Sequence, residues 1–337
     1  MSIDIPEKKK STHRVDVVKI TEIEKHPNAD RLGIIRIWGY SCCVQVGQFK
    51  VGDLVAYVVP DSMVPLARPE FAFLKDPKKP DRTSERIRVK RLRGILSQGL
   101  LVLAPAGSKE GDDVSDILGV TRYEPPVEQI SGGEVESPPS IPVPKYDVED
   151  WHKFGRLFVD GEEIVACEKV DGANSRFVWH EDRIWVASKN EWKKNDPRSI
   201  WWKALQDSPW LEAFCKAHPG VVVYGEAYGN VQDLRYGVPK GKGDVHLVVF
   251  DIWDKCRYMD FDEARAAGKD FVWVPLIYRG PYDGKKLKEL SNGKSTVAGA
   301  DHAREGIVVK PVKERYNDEV GRMQLKIVSD DYLERGG

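Results

Sequence analysis

Between residues 13 and 105 the apolar positions fall in short runs, at 15–23, 33–38, 41–46, 54–59 and 86–103, the last with a turn at Gly94. Polar turns separate them, so about five short strands predict a small Greek-key barrel of the OB type. Val114, Ile117 and Leu118 then take helical spacing before Gly119, which keeps residues 112–123 with the first domain. From 124 to 145 the composition shifts to Gly, Ser, Glu and Pro, with Pro125, Pro126, Pro138, Pro139, Pro142 and Pro144. That stretch is expected to be an extended or polyproline linker. The polar, lysine-rich residues 1–12 are expected to be a disordered tail, leaving 13–123 and 146–337 as the two domains.

Past residue 146 the pattern mixes two periods. Strands are predicted at 163–168, 174–180, 184–188, 221–227, 246–253, 306–312 and 321–328, with helices at 199–217, interrupted near Pro209, at 261–267 and at 284–290. The fold class is therefore α+β: an OB-like β-barrel followed by a mixed, mainly antiparallel domain. The runs VVVYGEAYG and HLVVFDIW lack alternation and predict buried strands whose ends carry polar groups.

Composition narrows the classes. With 337 residues, 41% hydrophobic and 31% charged, the chain is long enough for two cores. A net charge of -1 gives no global pull on polyanions, so a nucleic-acid surface must come from local clustering of the 52 Lys and Arg residues. Five scattered cysteines form neither a CxxC pair nor a disulfide framework, and the histidines show no metal-binding spacing. A reducing, cytoplasmic location is expected. No apolar run has the length of a membrane span or the form of a signal peptide, and a monomer without membrane partners is expected.

Two clusters carry candidate chemistry. RIRVKRLRG sets Arg86, Arg88 and Lys90 on one face opposite Ile87 and Val89, with Arg91 and Arg93 beyond the register change. Such a strand suits a phosphate backbone, or else is a solvated outer face. In EKVDGAN, Asp171 and Gly172 fall where a hairpin turns, which puts Lys169 at a strand end. A free lysine is only about 0.04% neutral at pH 7, so a nucleophilic lysine needs burial or neighbouring cations to lower its pKa. Five further stretches place a charged or aromatic group on or beside an apolar strand: ASKN with Lys189, VYGEAYG with Glu226, VVFDIW with Phe250 and Asp251, EGIVVK with Glu305 and Lys310, and MQLKIVS with Lys326.

In this order the six stretches resemble the motifs of the covalent nucleotidyltransferases, the superfamily of ATP-dependent ligases and mRNA-capping enzymes. Asn174, where DNA ligases and capping enzymes typically have Arg, is similar to RNA ligases of the second type. The OB-like domain placed first resembles the fifth RNA ligase family. The loop HPNADRL, residues 26–32, resembles that of tRNA-binding OB modules, although any tight barrel corner would use the same turn residues.

The resemblance implies an ATP-dependent ligase that joins a 3′-hydroxyl RNA end to a 5′-phosphate in an RNA or RNA/DNA nicked duplex. Lys169 would be the catalytic nucleophile that holds AMP. Glu168 would help fix the adenine, Asp171 and Asn174 would orient the lysine and ribose-phosphate, and Phe250 would stack on the base. Glu226 and Glu305 would hold Mg²⁺ or Mn²⁺, while Lys310 and Lys326 would face phosphates. Two departures stand out: Gln324 replaces the first of a common lysine pair, and Lys189 stands where many relatives have Arg. The competing readings are a GTP-using capping enzyme and a non-catalytic RNA-binding OB protein.

Overall fold

The computed structural model describes residues 13–123, 134–239 and 243–335, so the expected tail at 1–12 and residues 124–133 of the expected linker lie outside the described residues. The chain divides into two compact units, one built on residues 13–123 and the other on 134–332.

In the first unit the strand Leu54–Val58 runs antiparallel between Asp16–Lys19 and Leu100–Leu103. Its sequence, LVAYV, has no polar position because both faces are buried. Val55 and Tyr57 pack with Ile20, Ile35 and Phe49, while Ala56 and Val58 pack with Val17, Val64 and Phe71. Two cores flank one strand, and the strands form small separate sheets rather than one closed cylinder. The expected run 86–103 is cut into Ser84–Arg86, Lys90–Leu92, Ile95–Ser97 and Leu100–Leu103. One cut is steric: a Cβ at Gly99 would lie 2.6 Å from the Tyr57 ring. Another is a two-residue hairpin turn at Arg93 and Gly94, whose φ values of 48° and 94° define a type I′ turn. The helix expected in 112–123 is a single turn, Ser115–Leu118; Leu118 reaches the core and Ile117 stays exposed.

The second unit carries two sheets. Seven antiparallel strands run in the order Val135–Glu136, Trp192–Lys193, Arg183–Ala187, Ala173–His180, Val221–Gly229, Val245–Asp254 and Arg257–Tyr258. Helices Ile200–Gln206 and Pro209–Ala217, separated at the proline, cover one face through Trp201, Leu205 and Leu211 on Phe177, Val186 and Val223. On the other face Val178, Val222 and Tyr224 pack with Tyr146 and Trp253. Burial on both sides explains the unbroken apolar run.

The five-stranded sheet runs Glu149–Asp150, Leu325–Val328, Gly306–Pro311, Glu163–Lys169, Leu276–Pro281. Ile164, Ala166, Ile307, Val309 and Ile327 bury one face against Phe154, Phe158 and Leu287. By alternation the opposite face receives Val165, Cys167, Lys169, Lys310 and Lys326, and there Val165 and Cys167 pack with Val248 of the larger sheet.

The described part of the expected linker is not a free spacer. Val135–Glu136 pairs with Trp192–Lys193, Ile141 and Val143 pack on the Tyr224 cluster, and the Tyr224 hydroxyl donates to the Pro144 carbonyl at 2.7 Å. Burying two aliphatic side chains and pairing an open sheet edge outweigh the proline content. No described helix is long and apolar enough to cross a membrane.

Candidate active site

Strand register builds the site. Lys169, the last residue of Glu163–Lys169, lies opposite Gly306, so Glu305 beside that glycine comes within reach. The Lys169 Nζ donates to Glu305 Oε1 at 2.6 Å. Only glycine permits this approach at 306, where a Cβ would lie 2.0 Å from the Ile327 carbonyl oxygen. Gly172 works the same way on the other side. A Cβ there would lie 2.2 Å from the Ala227 carbonyl oxygen, so the turn presses on Val221–Gly229 and sets Asn174 opposite Glu226.

The charges gathered here fix one another's state. Burial pushes the Lys169 amine down, but Glu305 and then Glu226 push it further up, and the net result lies above the ordinary lysine value. In the protein alone the nearest charges are carboxylates, so the lowering a nucleophile requires must come from the cations that join it. Burial, reinforced by Glu305 and Asp171 against Lys169 and Lys189, pushes Glu226 up to about 8. Burial likewise raises Glu305, and its Oε2 is buried with no hydrogen-bond partner. Two crowded acids and an orphaned oxygen fit a hard dication. Among the described residues no group of three or more His, Cys, Asp and Glu forms a metal cage. That suits an ion that keeps waters and shares substrate phosphates.

Other expected residues are placed differently. Glu168 points to the opposite face of the strand, where its carboxylate accepts from the Ser295 hydroxyl and from the Thr296 amide and hydroxyl at 2.8 and 2.7 Å. It anchors that loop. Asp171 braces the walls, where its carboxylate accepts from the Leu234 amide at 3.1 Å and the Tyr332 hydroxyl at 3.3 Å, and its charge adds to the upward push on Lys169. Asn174 fits a ligand contact, since its Oδ1 is buried without a partner. Phe250 is half-buried with its ring 4.6 Å from Tyr146, so it belongs in part to the core.

Lys310 does not present a free charge to phosphates. It is buried, donates to Asp251 Oδ1 at 2.7 Å and lies 3.5 Å from Glu314. Arg322 completes the cluster on Asp251 Oδ2 at 2.8 Å and on Glu314. Tyr146 donates between Asp251 at 2.6 Å and Gln324 at 2.7 Å, and Gln324 donates to the Asp147 carbonyl at 2.7 Å. Asp147 in turn pairs with Lys189 at 2.6 Å, while Arg176 donates to the carbonyl of neighbouring Ser188 at 3.1 Å. Lys326 stays half-exposed on the Lys169 face. Sequence reasoning missed Tyr146, Glu314 and Arg322. Asp251 carried a usable signal, an acid inside an apolar run.

In the first unit Ile87 and Val89 are buried as alternation required. Arg86 is taken up by Asp61 at 2.7 Å and lies 3.9 Å over the Tyr123 ring, and Arg91 donates to the Gly94 carbonyl at 2.9 Å and pairs with Glu334. Arg88, Lys90 and Arg93 are exposed with no ion pair among the described residues. The HPNADRL loop turns inward: buried His26 bonds the Leu92 carbonyl at 3.0 Å, and Asn28 donates to the Arg93 carbonyl at 2.9 Å.

Solved structures share this architecture. Naegleria gruberi RNA ligase with PPi superposes with a TM-score of 0.80 at 24% identity, covering 96% of this chain and 99% of that one. A mutant of the same ligase with AMP and Mn gives 0.81 at 23% identity, covering 96% and 98%. At these identities the likeness establishes the fold. No curated protein sequence matches. Residues 14–104 match an OB-fold domain model. Residues 162–328, which carry every motif from Glu168 to Lys326, match the RNA ligase family model.

Proposed function

We propose that this protein is an ATP-dependent RNA ligase that seals a 3′-hydroxyl RNA end to a 5′-phosphate end at nicks, through a lysyl-AMP on Lys169. The observation that carries the reading is the Lys169–Glu305 contact beside Glu226, inside a domain that matches the RNA ligase family model. The Naegleria gruberi enzyme, similar over nearly its whole length, is described with ATP and Mn and with AMP and Mn.

In the first step a nitrogen–phosphorus bond forms between Nζ and the α-phosphorus, and the bond to pyrophosphate breaks. The attacking amine must first lose a proton and leave the Glu305 carboxylate, which sits at hydrogen-bond distance to receive it. Glu226 and Glu305 would hold Mg²⁺ or Mn²⁺, which neutralises phosphate charge and offsets the carboxylate field on Lys169. Asn174, opposite Glu226, and the half-exposed Lys326, on the Lys169 face of its sheet, are suited to the nucleotide. Transfer of AMP to an RNA 5′-phosphate, then its displacement by a 3′-hydroxyl, completes the sealing.

Incubation with α-labelled ATP and Mg²⁺ or Mn²⁺ should leave label covalently on the wild-type chain and none on Lys169→Ala. Label persisting on Lys169→Ala, or labelling by GTP in preference to ATP, would overturn the reading.

A further inference from the structure

The Lys90–Leu92 and Ile95–Ser97 hairpin has features that a plain solvated turn does not require. Its two turn residues, Arg93 and Gly94, are both left-handed, with φ of 48° and 94°. Glycine adopts this conformation freely and asparagine tolerates it, whereas an arginine there is strained. Side chains hold three consecutive carbonyls of the turn. His26 bonds the Leu92 oxygen at 3.0 Å, Asn28 donates to that of Arg93 at 2.9 Å, and Arg91 donates to that of Gly94 at 2.9 Å. His26 is itself buried and takes the Asn28 amide on Nδ1 at 3.1 Å. A strained conformation persists only where its surroundings over-determine it, and such sites cluster at ligand contacts. The Arg93 side chain is exposed and has no ion pair among the described residues, as is true of Arg88 and Lys90.

We propose that this hairpin is a prong that grips the phosphate backbone of the RNA, with Arg93 at its tip and with His26 and Asn28 as positioning residues. The proposal rests on the ligase reading, which supplies a polyanionic substrate that extends beyond the reacting ends. It gives the HPNADRL loop a role: the loop fixes the prong and leaves phosphate contact to the cations of the hairpin.

Arg93→Asn separates strain from function. The change installs the preferred Asn-Gly turn, so the melting temperature should rise. Affinity for a fluorescently labelled nicked RNA duplex should nevertheless fall several-fold, and the slope of log affinity against log salt should shrink by about one phosphate contact. Asn28→Ala should weaken binding in the wild-type background and add little in Arg93→Asn, because it acts through the turn. A higher melting temperature with unchanged affinity and salt slope would overturn the proposal, as would a melting temperature that falls. Self-labelling of the wild-type chain by ATP tests the ligase reading separately, so failure of either is recognised without the other.

Discussion

The Lys169 amine rests 2.6 Å from Glu305 Oε1, so the proposed nucleophile is stored as half of an ion pair. Its pKa is raised chiefly because the Glu305 and Glu226 carboxylates outweigh burial. The neutral fraction in the protein alone is therefore below that of a free lysine. Self-adenylylation should accelerate with rising pH across the neutral range. In Glu305→Gln the largest upward influence is gone, so the pH–rate profile should move to lower pH even as the maximal rate drops, on the order of tenfold or more, through weakened metal binding. A profile that stays in place would show that Glu305 does not set the amine's protonation.

Glu226, pushed up to about 8 by burial and then by its acidic neighbours, is mostly protonated at pH 7. A dication needs the carboxylate, so binding must release a proton. The affinity for Mn²⁺ should rise about tenfold per pH unit up to pH 8 and level off above it, as measured by titration calorimetry. The stability sign runs the other way. Because the folded value lies above the unfolded one, the stabilisation from protonated Glu226 is complete below about 4.5 and lost as pH rises through 8. Glu226→Gln should thus melt higher than wild type at pH 9 and close to it at pH 5.

Gly172 is needed for its lack of a side chain. Gly172→Ala would drive a Cβ into the Ala227 carbonyl at 2.2 Å, with Glu226 Cγ at 3.0 Å. Overpacking of this kind costs about 1–3 kcal/mol. Chemical denaturation should show that loss, and relaxation of the turn should also reduce self-adenylylation by displacing Lys169 and Glu226.

Much of the architecture was legible in the chain. The proline at 209 divided the helices, the unbroken VVVY run marked a strand buried on both faces, and the order of the motifs placed Lys169 near Glu305. What sequence did not reveal was which way charges face. Glu168 and Lys169 are adjacent, and the two-residue period of a strand sends them to opposite sides. Lys310 looked like a phosphate ligand because its partners, Asp251 and Glu314, come from a different strand and a following turn. A proline-rich stretch looked like a spacer because Ile141 and Val143 reveal their purpose only once Tyr224 lies beneath them.

Gln324, where a lysine is common, bridges Tyr146 and the Asp147 carbonyl, and Asp147 carries Lys189. If Gln324 acts on catalysis through Lys189, the two substitutions will not add. Gln324→Ala should raise KM for ATP several-fold in the wild-type background and change it little when Lys189 is already Ala. Full additivity would mean that Gln324 serves the fold alone.

Asp251 holds the most heavily charged part of the interior, receiving Lys310 on one oxygen and Arg322 and Tyr146 on the other. Burial alone would raise its pKa, but Arg322 and Lys310 overcome that and hold it below the usual carboxylate value. A depressed folded pKa contributes stability that is complete above the unfolded value, near 3.8, and lost as pH falls through the folded one. Asp251→Asn keeps the shape but leaves two buried cations sharing Glu314, and breaking a buried pair in this way costs about 3–5 kcal/mol. Urea unfolding should show that loss at pH 7. It should also show the gap between variant and wild type narrowing as pH falls below about 4, where the unfolded chain's carboxylate takes up a proton that the native one, held lower by Arg322 and Lys310, still resists. A gap that stays constant down to pH 2 would mean that the packing of Tyr146, Phe250 and Tyr258, rather than the charge on Asp251, holds this part of the domain together.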